Sequence, residues 1–269
     1  MTHSPLAPQL APLALALGLT ACAESGTGGE AIEFELALAP SANAAEFTTS
    51  TGWSVRLEEA RIALGPVYLW ENPPPVASRP GPPRHRLAAV ADWLIPRAHA
   101  HAGSAHFSGG EVLGEWLEQV GFDALAGQEP LGRVAGTAGT ARSFSVWLEE
   151  PRAAEAREAT RGHHAWIAGT ATRGDEVVPF EGGLELPEAD SARRVEGIAT
   201  ALPLEAGRTV VVTVHVERWL AEAHFDRLAS GPGAVRGEGG RWQIVADSQV
   251  ATAWYLGARS AAAFSASIE

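Results

Sequence analysis

The chain has 269 residues, enough for one large domain or two small ones with a sizeable core. Hydrophobic residues make up 46% and charged residues 19%, a balance typical of a globular body. The formal net charge is −12, and this acidity argues against nucleic acid or an anionic membrane surface as a partner. All 20 basic residues are arginine, which we interpret as a codon-composition effect without functional meaning.

The N-terminal segment is apolar and ends at Cys22, the one cysteine of the chain, so no intrachain disulfide can form. The stretch "PQLAPLALALGLTAC" has the length of a signal peptide and is too short to span a bilayer. Its last four residues, "LTAC", resemble the lipobox of bacterial lipoproteins. That resemblance implies cleavage before Cys22, lipidation of Cys22 and an anchor in the cell envelope. Ala23 after the cysteine implies the outer membrane, facing the periplasm or the cell surface.

Small and polar residues follow Cys22 and predict a flexible tether. We therefore expect a signal peptide over 1–21, a tether over 22–30 and a single β-sandwich domain over 31–269. In chain order, alternating apolar residues predict a strand at 32–38 and then two strands, or one long bent strand, over 53–70. Further strands are predicted at 112–122, 142–148, 165–171, 177–186, 195–204, 209–216, 242–245 and 250–256.

Few helical patterns interrupt these strands. The Pro-rich stretch 72–83 predicts a loop on the surface. Residues 87–94 could form a short helix, and 217–229 has the best helical pattern. Short strands at even spacing with few helices are typical of an all-β fold. We predict a β-sandwich with Greek-key-like connections, one short helix near 217–229 and long loops.

Familiar catalytic motifs are missing from the sequence. It contains no G-x-S-x-G, no P-loop and no H-E-x-x-H, and with Cys22 lipidated no thiol nucleophile remains. We therefore expect a protein that is not an enzyme.

The histidines are the main candidates for chemistry. His99, His101 and His106 fall within the stretch "AHAHAGSAHF", three of the nine histidines of the chain. Residues i and i+2 of an extended segment project to the same side, so His99 and His101 can offer two imidazoles to one ion, and His106 can return across a turn as a third. Neutral imidazole suits copper and zinc. The alternative is an exposed loop in which histidine is merely polar.

Other histidines could contribute to the same site. His163 and His164 are adjacent at the entrance of a predicted strand, where neighbouring side chains point apart, so we expect only one of them to join a shared site. His224 falls on the predicted helix, near the sheet edge. His215 lies in a Val-rich strand, where packing or hydrogen bonding is the expected role.

Two further regions resemble a known family, the methanobactin-associated periplasmic copper-binding proteins. They are "IEFELALAP" with "GWSVRLEEARIALGPVYLWE", and "GRTVVVTVHVERWLAEAHFD", a Val-rich strand that leads into a Trp-containing helix. The resemblance implies a β-rich exported protein that binds copper through histidines. It assigns no ligand.

The leading hypothesis is a lipid-anchored envelope protein that captures, stores or hands over copper or zinc. Membrane contact through the anchor and an envelope protein partner would accompany this role. The alternative is a non-enzymatic surface interaction or carbohydrate-binding module that uses some of the nine tryptophans. The tryptophans expected in the core, because they fall in predicted strands, are Trp53, Trp147, Trp166 and Trp254. Those at ends or near loops, which could form a binding platform, are Trp70, Trp93, Trp116, Trp219 and Trp242. A third hypothesis is that the protein is a structural subunit of an envelope complex.

Overall fold

The computed structural model describes residues 29–74, 109–231, 233–237 and 239–269. The predicted signal peptide, Cys22, the helix at 87–94 and the segment with His99, His101 and His106 lie outside the described residues.

Eight strands form the larger sheet, in the spatial order β11-β8-β4-β5-β7-β1-β12-β14. The ladders are antiparallel except for the β1–β12 pair, which is parallel. The edge strands β11 and β14 contact each other, so the sheet is nearly closed. The strands are β1 Ala31–Pro40, β4 Val67–Trp70, β5 Val112–Trp116, β7 Glu129–Thr137, β8 Gly139–Trp147, β11 Arg194–Leu204, β12 Thr209–Val214 and β14 Phe264–Ile268.

Six strands form the second sheet, in the order β13-β10-β9-β3-β2, with β6 paired to β3 outside this path. Long antiparallel ladders join β9 to β3 and to β10. The strands are β2 Glu46–Thr48, β3 Ser54–Leu64, β6 Val120–Asp123, β9 Ala165–Arg173, β10 Glu176–Leu184 and β13 Trp242–Gln243.

Each strand buries one of its faces in the core, because successive side chains of an extended backbone point to opposite sides. In β1, Phe34, Leu36 and Leu38 are buried, whereas Glu33 on the opposite face is exposed. Buried residues from both sheets form one hydrophobic cluster. The predicted all-β, sandwich-like fold is confirmed.

Gly65 allows the chain to pass from one sheet to the other between β3 and β4. It has a φ of 121°, in the region that favours glycine, and a Cβ at this position would overlap the carbonyl oxygen of Glu118. Of the two alternatives for 53–70, the structure therefore has two strands, β3 and β4, one in each sheet.

The helices depart most from the sequence prediction. The single helix expected near 217–229 is two short helices, and the strand expected at 250–256 is a helix whose N-cap is Ser248. The α-helices of the described residues are α1 Ala154–Ala159, α2 Asp190–Arg193, α3 Val216–Trp219, α4 Asp226–Ser230 and α5 Gln249–Ala258, with a 3₁₀ turn at Ala261–Ala263. None of the helices in the described part of the chain is long and apolar enough to cross a membrane.

Candidate functional site

The predicted metal ligands divide between described and undescribed parts of the chain. His163, His164 and His224 can be placed, whereas His99, His101 and His106 lie outside the described residues, as does the predicted lipidation site Cys22. Their roles stay predictions.

His163 and His164 both contact the carboxylate of Glu185. The Nδ1 atom of His163 lies 2.5 Å from Oε1 of Glu185, and the Nδ1 atom of His164 lies 3.3 Å from Oε2. The register of β9 and β10 brings these residues together. Leu184 pairs with Ala165, so Glu185, which follows Leu184, lies beside the two histidines that precede Ala165. Both rings reach Glu185 because they stand in the turn before β9, where strand alternation does not apply. That only one of them joins a shared metal site stays a prediction.

The environment of His164 favours a neutral ring. The side chain is buried, and its Nδ1 accepts a hydrogen bond of 3.3 Å from the backbone N–H of Leu186. The other nitrogen, Nε2, is buried and has no hydrogen-bond partner among the described residues. Burial lowers the pKa of His164, and the nearby Glu185 carboxylate opposes that effect only in part.

His163 lies on the wall of a cleft of about 530 Å³. Its ring stacks on Trp166 with 5.6 Å between ring centroids, and the guanidinium of Arg161 lies 4.3 Å from the Trp166 ring. Gly183 makes room for the imidazole, because a Cβ there would overlap the His163 ring. The side chain of His163 is 34% exposed, so the ring is held in place but accessible.

The arrangement of His163 is one that metal-binding histidines commonly use. A carboxylate that accepts from Nδ1–H fixes the tautomer and leaves Nε2 for the metal. However, within residues 29–74, 109–231, 233–237 and 239–269, no group of three or more His, Cys, Asp or Glu side chains is placed to hold a metal ion. His163 with Glu185 therefore offers one oriented imidazole, not a complete site.

His224 lines a second cleft, which shares Gln243 and Val245 with the cleft of His163. Its side chain is exposed and lines this cleft with Arg227 and Asp247, while its backbone N–H donates to Oε1 of Gln249 at 2.7 Å. The structure thus does not bring His224 to the pair at Glu185. His215 is hydrogen-bonded through both ring nitrogens, as predicted.

In the described part of the chain, several aromatic rings have one face covered by another side chain. The Tyr68 and Trp70 rings stack on each other at 5.6 Å, and the guanidinium of Arg194 lies 3.8 Å from the Trp147 ring. Trp116 and Trp219, which could have been platform residues, are buried. Trp53 and Trp166 are buried as predicted, and Trp254 is buried on a helix rather than a strand.

Comparison with known proteins gives one distant structural likeness. No protein-family model matches the chain, and no curated protein matches it. Among solved structures it is similar to MbnP from Methylosinus trichosporium, with 9% identity and a TM-score of 0.40 over 89% of this chain and 98% of that chain. At this TM-score the likeness assigns no residue and no activity.

Sequence reasoning missed Glu185 as a partner of the two histidines. The residue follows a strand 22 positions after His163, and nothing in the residue spacing connects the two. Only the strand register does so.

Proposed function

We propose that this chain is a lipid-anchored protein of the cell envelope that binds copper or zinc through histidines, for capture, storage or hand-over. The observation that carries the proposal is the spacing of His99, His101 and His106 in a chain whose N-terminus resembles a lipoprotein signal. The role requires no enzymatic step.

His163 supports the proposal from the described part of the chain. Glu185 orients the ring through Nδ1, and Trp166 supports it from one side, so Nε2 is available for a metal without further rearrangement of the ring. We propose His163 as an additional ligand, and His164, which is buried and neutral, as a residue that positions the turn.

The net charge of −12 favours the approach of cations, an effect that salt screens. Protons should compete with the metal, because imidazole binds it in the neutral form. Affinity should therefore fall between neutral pH and about pH 5, whereas binding by carboxylates alone would fall mainly near pH 4.

Titration calorimetry of the purified chain with Cu(II) and with Zn(II) tests the proposal. We expect binding much tighter than millimolar at neutral pH, and a loss of more than about tenfold in affinity for the double variant His99→Ala/His101→Ala. His85→Ala is the matched control from the Pro-rich loop and should bind like the parent. Equal affinity of the double variant and the parent would make the segment an ordinary polar turn.

The anchor is tested separately, in cells, by palmitate labelling. Cys22→Ser should leave an unprocessed precursor without label. Continued labelling of that variant would overturn the lipoprotein prediction but would leave the metal proposal standing.

A further inference from the structure

A serine, a histidine and a glutamate form a hydrogen-bonded row at one end of β12, on the outer face of the larger sheet. Oγ of Ser265 lies 2.8 Å from Nε2 of His215, and Nδ1 of His215 lies 3.1 Å from Oε1 of Glu217. The other oxygen of Glu217 accepts a hydrogen bond of 2.6 Å from Oγ of Ser41. The three residues come from β14, the end of β12 and the first turn of α3.

The carboxylate determines the direction of every hydrogen bond in this row. Ionised Glu217 can only accept, so Nδ1 of neutral His215 must carry the proton and donate it. Nε2 is then the lone-pair nitrogen, and the hydroxyl of Ser265 must donate to it. This is the arrangement in which an imidazole can remove the proton of a serine hydroxyl.

The row is held in place by backbone and core contacts. The N–H of His215 donates to the carbonyl oxygen of Ala263 at 2.9 Å, which ties the histidine to the segment before β14. Helix α3 is anchored by Val216 and Trp219, both completely buried, so Glu217 between them has little freedom to move away. The side chains of Glu217 and His215 are 17% and 26% exposed.

Ser265 itself is exposed, which a nucleophile requires and a purely structural hydroxyl does not. A backbone donor also lies beside it. In the β12–β14 ladder Thr209 and Glu269 exchange both of their hydrogen bonds, so every second residue of β14, Ser265 included, is bonded to β12. Ala266 then directs its N–H away from β12, and the N–H after a nucleophilic serine is a common oxyanion donor.

We propose that Ser265 is an activated nucleophile that cleaves small, reactive carboxylic esters, with His215 as its general base and Glu217 as the positioning residue. Oγ of Ser265 bonds to the acyl carbon while its proton passes to Nε2 of His215. The ester C–O bond then breaks, and the same proton passes to the leaving alkoxide or phenoxide. Water then gives a proton to Nε2 of His215 and bonds to the acyl carbon. The bond from that carbon to Oγ of Ser265 breaks, the proton returns to Oγ, and the carboxylic acid leaves.

The substrate class follows from the surroundings of Ser265. The residue stands on an open strand face, and the clefts described above are lined by other residues. With little binding energy available to distort or orient a substrate, only an ester with a small acyl group and a good leaving group should react. The activity uses no metal and is independent of the proposed metal role.

The test uses the full chain, a fluorophosphonate probe and p-nitrophenyl acetate, with peptide mapping to locate the modified residue. We expect one equivalent of label at Ser265, no label in Ser265→Ala, and a rate lowered about 10² to 10⁴-fold in His215→Ala. Glu217→Gln should lower kcat and leave KM unchanged, a split that a merely structural role would not produce.

Ser267→Ala is the matched control, because Ser267 is also an exposed serine of β14, two residues further along the strand. It should label and turn over like the parent. If His215→Ala does not fold, Ser265→Ala still tests whether Ser265 is the nucleophile. This variant should fold, because it lacks only one exposed hydroxyl. Absence of label at Ser265, or equal labelling in folded His215→Ala, would overturn the proposal.

Discussion

Three histidines of the described residues contact a glutamate, and two of them, His164 and His215, differ in the environment of the second ring nitrogen. His164 near Glu185 is buried, and its Nε2 has no partner among the described residues. His215 near Glu217 is partly exposed, and both of its nitrogens are hydrogen-bonded. A neighbouring carboxylate therefore does not define what a histidine does, because burial and the number of partners decide whether the ring serves packing or chemistry.

The largest expected difference between the two is in stability. His164→Ala should lower the free energy of unfolding by about 3 kcal/mol, because it leaves a cavity and deprives the buried N–H of Leu186 of its acceptor. His215→Ala should cost about 1 kcal/mol, since its neighbours can turn to water. Urea unfolding of both variants measures this difference, and equal losses would contradict the role given to burial.

A smaller difference is expected between Glu185 and Glu217 in their effect on metal affinity. If His163 is a ligand, Glu185→Gln should weaken Cu(II) or Zn(II) binding by about 10 to 100-fold, because the carboxylate orients the ring and increases its basicity. Glu217→Gln is the matched control at the other pair and should leave the affinity unchanged. Titration calorimetry on both variants measures the metal affinity. A loss of affinity confined to Glu217→Gln would place the metal ligand at His215 rather than at His163.

The smallest expected effect is a change of stability with pH. Burial lowers the pKa of His164 in the folded state, so the unfolded chain takes up the proton more readily. Stability should therefore fall as the pH drops below about 6.5, the pKa of an unperturbed histidine, until the folded-state pKa is also passed. Each unit between the two pKa values is worth about 1.4 kcal/mol.

Unfolding experiments between pH 7 and pH 5 measure this change. The loss of stability should be reduced in His164→Gln and retained in His224→Gln, because the side chain of His224 is exposed. A pH dependence that is identical in the parent and in His164→Gln would refute the assignment.

Alternation of apolar residues was enough to predict most of the sheets. β1 and β12 were found because each carries an unbroken series of apolar residues on one face. β7 was missed because Val134 is the one fully buried residue in its "EPLGRVAGT" sequence, and β2 because its three residues are too few to show a pattern. For His215 the sequence indicated packing or hydrogen bonding, and the structure shows a hydrogen bond at each ring nitrogen.

The error at 250–256 has a local cause. Val250, Trp254 and Leu256 suggested alternation, but the buried residues of this segment are Val250, Ala253, Trp254 and Ala258, which have helical spacing. Alanine contributes to a helix interface as readily as larger residues do. Ser248 also indicates a helix, because its side chain accepts a hydrogen bond from the backbone N–H of Ala251 and so caps the helix N-terminus.

Residue types and their periodicity determined the strands and the candidate histidines, because both are local properties of the chain. Which residues meet was decided only by the tertiary structure. Glu185 reaches His163 through the register of β9 and β10, and Ser265 reaches His215 through the pairing of β12 with β14, across 50 residues. Strand register is a property of two segments together, set by how the buried faces of both sheets pack, and neither segment carries it alone.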